Sequence, residues 1–410
     1  MRLLLLLLCF PLLLSAQEQQ NDDFQANIEN VVVYNYLNSS YRIYRDSYDN
    51  TSIAVAYMRY TDDRDDMGHE VMIQMPEDAV GPLRVEYRVK DDTLSIDTLD
   101  VPVDSTSVGI PNLIPRQYYS YQIINAEGTS IRNGVFYAQG RVRMFSLPTV
   151  PNLRDLGGWI GKEGRYLRYG RIFRGAELIC GTHNTTSAED IATFKRLGIA
   201  AELDLRCDAD FKAQQDTSAF GANTPYLWLN MKDETALVVA SKDLMAKAFH
   251  FVLDNLRNDR PVYIHCIYGA DRTGMLCVLL EGLLGVSISD IYRDYELTSF
   301  SKYVGGKRNK QMLNNRLTHI EGIFPPSKDI NTLMTDYAIN DLGITQEEID
   351  EFCSLMLEDR EFPILVTTPV SDGNGTTTYY SVDGMQRKHT SRGLNIVRYG
   401  DGSVKKIVKN

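Results

Sequence analysis

The stretch HCIYGADRTG, residues 265–274, decides the fold of this chain. A short apolar run at 261–265 is typical of a buried strand, and apolar residues at helical spacing follow at 273–284. Five residues separate Cys266 from Arg272, and they fall between these two segments. The sequence therefore predicts a strand, a short loop that begins at Cys266, and a helix that begins at Arg272 or directly after it.

The composition of this loop suits the binding of one phosphate group. Its backbone N–H groups can point inward around the phosphate oxygens, and the positive end of the following helix adds to the attraction. Glycines allow close approaches that a side chain would block, and Arg272 can donate two hydrogen bonds in a fork. The predicted phosphate-binding residues are Ile267, Tyr268, Gly269, Ala270, Thr273 and Gly274.

Cys266 is the predicted nucleophile. A free thiol has a pKa of about 8.5, and a helix N-terminus with neighbouring cations lowers it, which yields the reactive thiolate. Thr273 can donate its hydroxyl to the sulfur once phosphate has left. His265 is expected to order the loop from behind, because a thiolate that already exists needs no base. Asp204 and Arg206, at the end of a predicted neighbouring strand, are expected to brace the loop.

The spacing of Cys266 and Arg272, with the flanking His, Thr and Gly, resembles the Cys-Xaa5-Arg signature of the protein tyrosine phosphatase superfamily. A narrower resemblance, to the bacterial tyrosine-protein phosphatases related to a secreted mycobacterial phosphatase of broad specificity, extends over 151–299. The segments that carry it are NLRDLGG (152–158), RIFRGAEL (171–178), LGI (197–199), LDLR (203–206) and DYELTS (294–299). The resemblance implies an α/β phosphatase fold, no metal and no cofactor.

The resemblance also implies a substrate class and further site residues. Members of the family act on phosphotyrosine, and some act on phosphoserine, phosphothreonine or phosphoinositides. Arg154, Asp155 and Arg174 are singled out by the matching segments alone, and both buried ion pairs and substrate contacts remain open for them. Many members have Lys where this chain has Ala270. Because that Lys suits multiply phosphorylated head groups, its replacement weakens the expectation of a phosphoinositide substrate.

Departure of the alcohol or phenol requires a proton from a general acid, usually an Asp or Glu on a mobile loop. Asp233 lies 33 residues before Cys266, close to the acid-to-cysteine spacing of the superfamily. Asp271 is its rival, because it lies in the loop itself, at a position that the family uses near the substrate. Glu234 and Asp204 are weaker candidates. Both Asp233 and Asp271 therefore remain open as the acid.

Three functions are compatible with the motif. The leading hypothesis is hydrolysis of phosphotyrosine or related phosphoprotein esters through a phosphocysteine intermediate. The second is an inositol phosphate or phosphoinositide phosphatase, which needs extra basic residues near the pocket, and Lys232, Lys242 and Lys247 are available but scattered. The third is a phosphoprotein-binding pseudoenzyme, which the intact Cys266 and Arg272 disfavour.

The predicted fold class is multidomain, with an α/β tyrosine phosphatase-like catalytic domain preceded by an all-β sandwich and followed by a short C-terminal β segment. Strands alternate with helices from about residue 151, which favours a largely parallel sheet. The predicted divisions are a signal peptide (1–16), a polar linker (17–27), the β-sandwich (28–145), the catalytic domain (146–360) and the β tail (361–410).

Strand patterns dominate the predicted sandwich. Val85, Tyr87 and Val89 alternate with charged residues, as a half-buried strand requires. The stretch NLIPRQYYSY, residues 112–121, resembles the Leu-Xaa-Pro…Tyr corner of fibronectin type III domains. Further β-branched and aromatic runs predict strands at 31–36, 53–60, 118–124 and 135–144.

Residues 1–16 have the pattern of a secretory signal peptide, with a positive start, an apolar run and a small-residue cleavage site. We expect export to the periplasm, the cell surface or the medium. Five of the six cysteines would remain after cleavage, and none has the spacing of a zinc site. In an oxidising compartment the Cys266 thiolate is prone to oxidation, and Cys207 is the expected partner for a reversible disulfide.

The formal net charge of −11 argues against nucleic acid as the main partner, because phosphate-backbone binding needs clustered Lys and Arg. No stretch after the signal peptide is long and apolar enough to predict a membrane span. The expected partner is a phosphorylated protein or a small phosphomonoester, and the partner of the N-terminal β-domain stays open.

Overall fold

The computed structural model describes residues 23–38, 69–92, 95–178, 186–209, 216–232, 241–301, 308–318 and 329–359, and four strands between 378 and 409. The chain divides into two compact units, Met1–Arg360 and Glu361–Asn410. The first unit contains both the N-terminal sheets and the α/β domain. The predicted signal peptide and the predicted strand at 53–60 lie outside the described residues.

The N-terminal part of the first unit forms two sheets. Five strands follow the order β1-β7-β6-β3-β4, in which β1 runs parallel to β7 and the other neighbours are antiparallel. The strands β2 and β5 form a separate antiparallel pair, and residues of both sheets share one apolar core. The elements are β1 (Phe24–Asn27), α1 (Val31–Asn38), β2 (Val71–Gln74), β3 (Leu83–Val89), β4 (Asp97–Val101), β5 (Ser107–Ile110), β6 (Gln117–Ile124) and β7 (Ser130–Gln139).

The beginning of the described chain corrects two predictions. The predicted strand at 31–36 is wrong, since these residues belong to helix α1, whose Val33, Tyr36 and Leu37 pack in the core of the α/β domain. Their spacing matches the helical period, which outweighs the β-branched composition. The predicted polar linker at 17–27 ends in strand β1, where the Phe24 ring stacks on Phe136 at 5.4 Å between ring centroids.

The α/β domain has a largely parallel sheet, as the alternation of strands and helices predicts. Its order is β12-β11-β13-β10-β8, and only the pairing of β8 with β10 is antiparallel. The strands, together with the small pair β9 and β14, are β8 (Arg154–Asp155), β9 (Tyr166–Leu167), β10 (Ile172–Gly175), β11 (Ala201–Asp204), β12 (Tyr226–Trp228), β13 (Val262–His265) and β14 (Leu357–Glu358).

Helices cover this sheet, and side-chain caps begin several of them. In α2, α5 and α7 the residue before the helix accepts a hydrogen bond from a backbone N–H of the first turn, and α8 begins with a capping box of Thr345 and Glu348. The helices are α2 (Ala188–Arg196), α3 (Lys242–Arg257), α4 (Arg272–Leu283), α5 (Ile288–Leu297), α6 (Lys310–Thr318), α7 (Ile330–Asn340) and α8 (Gln346–Met356), with 3₁₀ turns at Lys162–Gly164 and Thr298–Phe300.

The predicted strand–loop–helix unit is confirmed at the centre of this domain. Strand β13 ends at His265 and helix α4 begins at Arg272, and all residues of α4 are buried. In the sheet register, Gly175 at the end of β10 and Asp204 at the end of β11 both lie beside His265. The carboxyl ends of three parallel strands therefore meet at the loop, which is the usual place for a ligand in an open α/β sheet.

Polar contacts join the N-terminal sheets to the α/β domain. The buried Glu29 accepts hydrogen bonds from the N–H groups of Arg141 at 2.6 Å and Val142 at 2.7 Å. Arg143 donates to the carbonyl of Leu113 at 3.1 Å and pairs with Asp155 at 3.4 Å. The contacts of Arg143 hold the 112–113 corner of the N-terminal sheets against β8, the first strand of the α/β domain.

The unit Glu361–Asn410 contains an antiparallel sheet of order β16-β15-β17-β18. Its strands are β15 (Thr378–Ser381), β16 (Gln386–Arg387), β17 (Gly393–Arg398) and β18 (Val404–Lys409). Its strands confirm the β character predicted for the tail. Among the described residues of the whole chain, no helix is both long and apolar enough to cross a membrane.

Tyr119→Phe is expected to lower the free energy of unfolding of the N-terminal sheets by about 1–2 kcal/mol. The Tyr119 hydroxyl accepts a hydrogen bond at 2.8 Å from the N–H of Ile114, and the substitution leaves that partly buried donor without its acceptor. Urea unfolding measures the change. Tyr118→Phe is the matched control, because the Tyr118 ring is 39% exposed. Equal midpoints for the two variants would contradict the prediction.

Candidate active site

Four carbonyl groups of the Cys266 loop are turned outward and held there. The N–H of Glu177 donates to the carbonyl of Ile267 at 3.1 Å, and the Asn152 amide donates to that of Tyr268 at 2.8 Å. Arg174 donates to the carbonyls of Gly269 at 2.9 Å and Ala270 at 3.3 Å. These partners come from the segment around β8 and β10 that packs beside the loop.

This arrangement fixes the direction of the loop's N–H groups. In a trans peptide unit the C=O and the following N–H point in opposite directions, and no described peptide bond is cis. The N–H groups of residues 268–271 therefore point away from the bracing side chains, toward the inner side of the loop. Successive inward N–H groups form a concave site for an anion, and the N-terminus of α4 adds its positive end.

Gly269 is required by both backbone conformation and space. Its φ is +63°, a region that favours glycine, and a Cβ atom there would lie 2.0 Å from the carbonyl oxygen of Gly175. The loop therefore packs directly on the end of β10. Ala270, where many relatives are expected to have Lys, is fully buried.

Arg154 and Arg174 form buried ion pairs with one carboxylate, Asp294. The Arg154 Nε lies 2.9 Å from Asp294 Oδ1, and an Nη of Arg174 donates to the other oxygen. Burial acts to raise the pKa of Asp294, but the two guanidinium groups outweigh it and lower the pKa below its ordinary value. Asp294 therefore remains ionised and holds Arg174 in place under the loop.

Asn152 completes this brace. Its φ is +63°, a left-handed conformation that Asn tolerates better than most residues, and its side chain is buried. The side-chain oxygen accepts a hydrogen bond from Arg154, while the nitrogen donates to the Tyr268 carbonyl. One side chain thus connects the ion pair to the loop.

Asp155, the third residue expected from the matching segments, has a different environment. It accepts hydrogen bonds from the N–H groups of Gly157 at 2.9 Å and Gly170 at 2.7 Å, and it pairs with Arg143. Burial raises the pKa of Asp155 more than these partners lower it. Its described contacts hold the backbone around β8 and the N-terminal sheets.

A second network supports the loop from the side of β11. Arg206 donates to both oxygens of Asp204, at 2.7 Å for the shortest bond, and contacts Glu177 at 3.3 Å. Burial acts to raise the pKa of Asp204, but His265 and Arg206 lower it overall. The ring nitrogen Nε2 of His265 lies 3.0 Å from Glu202. Asp204, Arg206 and His265 are therefore linked to one another at the carboxyl ends of β11 and β13, where the loop begins.

Arg272 is the first residue of α4 and is 5% exposed. Its Nη1 donates to the carbonyls of Leu205 at 3.2 Å and Met231 at 3.4 Å, which follow β11 and β12. Both acceptors are neutral, so these bonds orient the guanidinium without neutralising its charge. The Cys266 side chain is also almost buried, with 3% exposure, at the opposite end of the same loop.

The two residues that follow Arg272 are also buried. The Thr273 hydroxyl has no hydrogen-bond partner among the described residues. A Cβ atom on Gly274 would lie 3.1 Å from the Tyr295 ring and 3.4 Å from Arg174, so a larger residue would press on the brace. Helix α4 is therefore closely packed directly beneath the loop.

The two candidate acids are placed differently. Asp233 and Glu234 lie outside the described residues. Asp271 is 5% exposed and receives hydrogen bonds from Arg308 at 2.6 Å and Tyr295 at 2.8 Å, and Arg316 lies 2.8 Å from it. Burial acts to raise the pKa of Asp271, but Arg308 and Arg316 lower it below its ordinary value. A carboxyl group held ionised in this way is poorly suited to donate a proton.

The residues that brace the loop include several that the sequence alone does not reveal. Asp294, Tyr295, Asn152 and Glu177 lie within segments that resemble the phosphatase family, so membership of a motif is the available signal. Arg308 and Arg316 lie in no such segment. The described part of the chain contains no group of three His, Cys, Asp or Glu side chains arranged to hold a metal ion.

Comparison with known proteins identifies the α/β domain. A model of the tyrosine phosphatase family matches residues 145–358, more than half of the 410 residues. A protein of Cupriavidus necator, whose name describes it as a tyrosine-protein phosphatase, is 26% identical over 210 residues, which cover 45% of this chain and 71% of the relative.

Two solved structures are similar to part of this chain. TpbA of P. aeruginosa is 15% identical with a TM-score of 0.29, and the match covers 42% of this chain and 90% of TpbA. PTPMT1 in complex with PI(5)P is 16% identical with a TM-score of 0.27, over 37% of this chain and 92% of that protein. The family assignment rests on the family model and not on these structures.

Glu281 in α4 has a pH-dependent effect on stability that follows from its position. It is 1% exposed, and burial, together with the nearby Asp294 carboxylate, raises its pKa well above the ordinary value. The folded protein therefore holds the proton of Glu281 to a higher pH than the unfolded chain does. Above about pH 4.3 folding must take up a proton, which disfavours the folded state by about 1.4 kcal/mol per pH unit up to the folded pKa.

Glu281→Gln removes this proton uptake. We expect the variant to have a higher free energy of unfolding than the parent protein at pH 7, with a difference that shrinks as the pH falls toward about 4. Urea unfolding at several pH values measures it. Glu163→Gln is the control, since the Glu163 side chain is 81% exposed. A difference for Glu281→Gln that does not change with pH would contradict the prediction.

Proposed function

Because the chain belongs to the tyrosine phosphatase family and is a phosphatase, we propose that it hydrolyses phosphotyrosine esters through a phosphocysteine intermediate on Cys266. The observation that carries the proposal is the set of four outward carbonyls at residues 267–270, which leaves the opposed N–H groups to bind the phosphate oxygens. Arg272 at the start of α4 supplies the charged fork.

The first proposed step transfers the phosphoryl group to the enzyme. The Cys266 thiolate attacks phosphorus, the Sγ–P bond forms, and the P–O bond to the leaving group breaks. A general acid gives its proton to the departing oxygen. The negative charge on the transferred group is stabilised by inward N–H groups and by Arg272, which are in position before the reaction begins.

The second proposed step releases phosphate. Water attacks phosphorus, the Sγ–P bond breaks, and the carboxylate that acted as acid accepts the proton from water. Thr273 is the second residue of α4, and its hydroxyl donates a hydrogen bond to the Cys266 thiolate that is left. This use suits a buried hydroxyl that has no partner among the described side chains and backbone groups.

We assign the acid to Asp233 rather than Asp271. Support comes from the surroundings of Asp271, whose carboxylate is bound by Arg308, Arg316 and Tyr295 and has a lowered pKa. Proton donation at neutral pH requires a pKa near or above the working pH. The spacing of Asp233 before Cys266 supports the same assignment.

Phosphotyrosine is the proposed main substrate, with phosphoserine and phosphothreonine as further substrates. The inositol phosphate alternative requires basic residues at the loop that are free to meet additional phosphates. Ala270 supplies none, Lys232 pairs with Asp208 at 2.9 Å, and Lys242 pairs with Asp341. These pairs favour a substrate with a single phosphate group.

We further propose that the N-terminal sheets form a fibronectin III-like sandwich. The antiparallel order β4-β3-β6-β7 opposite the pair β2-β5, with the Tyr119 hydroxyl bonded to the corner at Ile114, supports this interpretation.

We also propose that the protein is exported, because residues 1–16 have the pattern of a signal peptide. The proposed location is the periplasm, the cell surface or the medium. Mass determination of the amino terminus of the protein from its native cells decides between a cleaved and an uncleaved chain.

Cys266→Ser and Arg272→Lys are expected to reduce hydrolysis of p-nitrophenyl phosphate, in a metal-free reducing buffer, by at least about a thousandfold. Serine is not a thiolate, and Lys cannot form the planar fork. Cys353→Ser is the matched control, because Cys353 lies in α8, where burial raises the pKa of its thiol. Loss of activity in the control alone, or turnover by Cys266→Ser, would overturn the proposal.

The acid assignment predicts a dependence on the leaving group. Asp233→Asn should lower the turnover of phenyl phosphate by about a hundredfold or more, and that of p-nitrophenyl phosphate much less, because nitrophenolate leaves without a proton. Asp271→Asn should affect both substrates equally, since it disturbs the loop instead. Steady-state kinetics on the two esters measures this. The reverse pattern would identify Asp271 as the acid.

A further inference from the structure

Asp271, the carboxylate residue within the Cys266 loop, is held from outside the loop. Arg308 donates two hydrogen bonds to it, at 2.9 and 2.6 Å, which is the bidentate geometry that fixes both partners in orientation. Arg308 is 6% exposed, so water competes little for this pair. The position of the loop therefore depends on the position of Arg308.

Arg308 is itself fixed through its backbone and the start of α6. The Ser299 hydroxyl accepts from the Arg308 N–H and donates to the Arg308 carbonyl, both at 2.8 Å. Two residues later, the N–H of Lys310 donates to Oε1 of Glu296 at 3.0 Å. Glu296 and Ser299 thus hold the chain on both sides of the Arg308 side chain.

Glu296 connects this segment to the N-terminal helix. Its carboxylate is fully buried, and its second oxygen accepts a hydrogen bond at 2.7 Å from the hydroxyl of Tyr36 in α1. The Tyr36 ring is 2% exposed and lies 5.3 Å from the ring of Phe300, between centroids. A buried carboxylate needs each of its hydrogen bonds, so Tyr36 helps to fix where Glu296 points.

We propose that Tyr36 and Glu296 are positioning residues for the Cys266 loop, which they order through Lys310, Arg308 and Asp271. In this proposal helix α1, which lies between β1 and β2 in the sequence, contributes to the order of the active site. The proposal rests on the proposed phosphatase function. The hydrogen bond between Tyr36 and Glu296 joins residues that are 260 apart in the sequence, and the proposed relay leads from it to the loop.

The first test is a double-mutant cycle on the full chain. Tyr36→Phe removes one hydroxyl and should lower kcat/KM for p-nitrophenyl phosphate about fivefold, at the lower end of ordinary couplings between sites. Arg308→Lys keeps the positive charge but loses the two parallel hydrogen bonds to Asp271. This variant should lower kcat/KM more than Tyr36→Phe does. The double variant should be no slower than Arg308→Lys alone, because Tyr36 acts through Arg308. Additive losses would overturn the relay.

The second test needs no turnover. Amide hydrogen exchange in peptides that cover residues 266–274 should become faster in Tyr36→Phe than in the parent protein. Tyr119→Phe is the control, because it also removes a hydroxyl from the N-terminal part of the chain but has no place in the relay. Unchanged exchange in Tyr36→Phe, or equal acceleration in both variants, would contradict the proposal.

The two tests separate the relay from the proposed function. A folded parent protein without turnover overturns the phosphatase mechanism, and the exchange measurement then decides the relay alone. Normal turnover in the parent and in Tyr36→Phe, with unchanged exchange, overturns the relay and leaves the mechanism intact.

Discussion

The outward direction of four loop carbonyls is the constraint on which the rest of the site depends. Glu177, Asn152 and Arg174 hold the carbonyl groups of residues 267–270. The N–H groups of the same peptide units must therefore point to the inner side of the loop before any substrate binds. The Asp294 carboxylate, shared with Arg154, in turn holds Arg174. A buried ion pair contributes little net stability compared with a well-packed apolar group, so its value here lies in the geometry that it imposes.

Charge is distributed so that the loop remains attractive to an anion in a chain with a net charge of −11. Three carboxylates close to the loop pair with arginine: Asp294 with two, Asp271 with Arg308 and Arg316, and Asp204 with Arg206. Two hydrogen bonds of Arg272 are made with neutral carbonyls. A local positive field can therefore exist inside an acidic protein, since screening and pairing reduce the influence of distant charges.

The sequence predicts this site only where its signals are local. The strand–loop–helix unit around Cys266 depends on residues close in sequence, and the structure reproduces it. The role of Asp271 could not be predicted, because its partner Arg308 is 37 residues away and carries no motif. Asp294 lies 140 residues from Arg154, and only their common membership of family-like segments connects them in the sequence. The predicted strand at 31–36 is wrong for another reason: its β-branched composition favours a strand, whereas the buried residues Val33, Tyr36 and Leu37 follow the helical period.

The placement of α1 also changes where the catalytic domain begins. The family model begins at residue 145, and the change from strand patterns to alternating strands and helices suggests the same boundary. Yet Val33, Tyr36 and Leu37 are buried in the core of the α/β domain, where Tyr36 satisfies one oxygen of a fully buried carboxylate. A chain cut at the family boundary would expose that apolar surface and leave Glu296 with one fewer donor, each of which disfavours the folded state. The core of the α/β domain therefore combines two segments of the sequence, helix α1 and the chain from Val142 onward, with strands β2 to β7 of the N-terminal sheets between them.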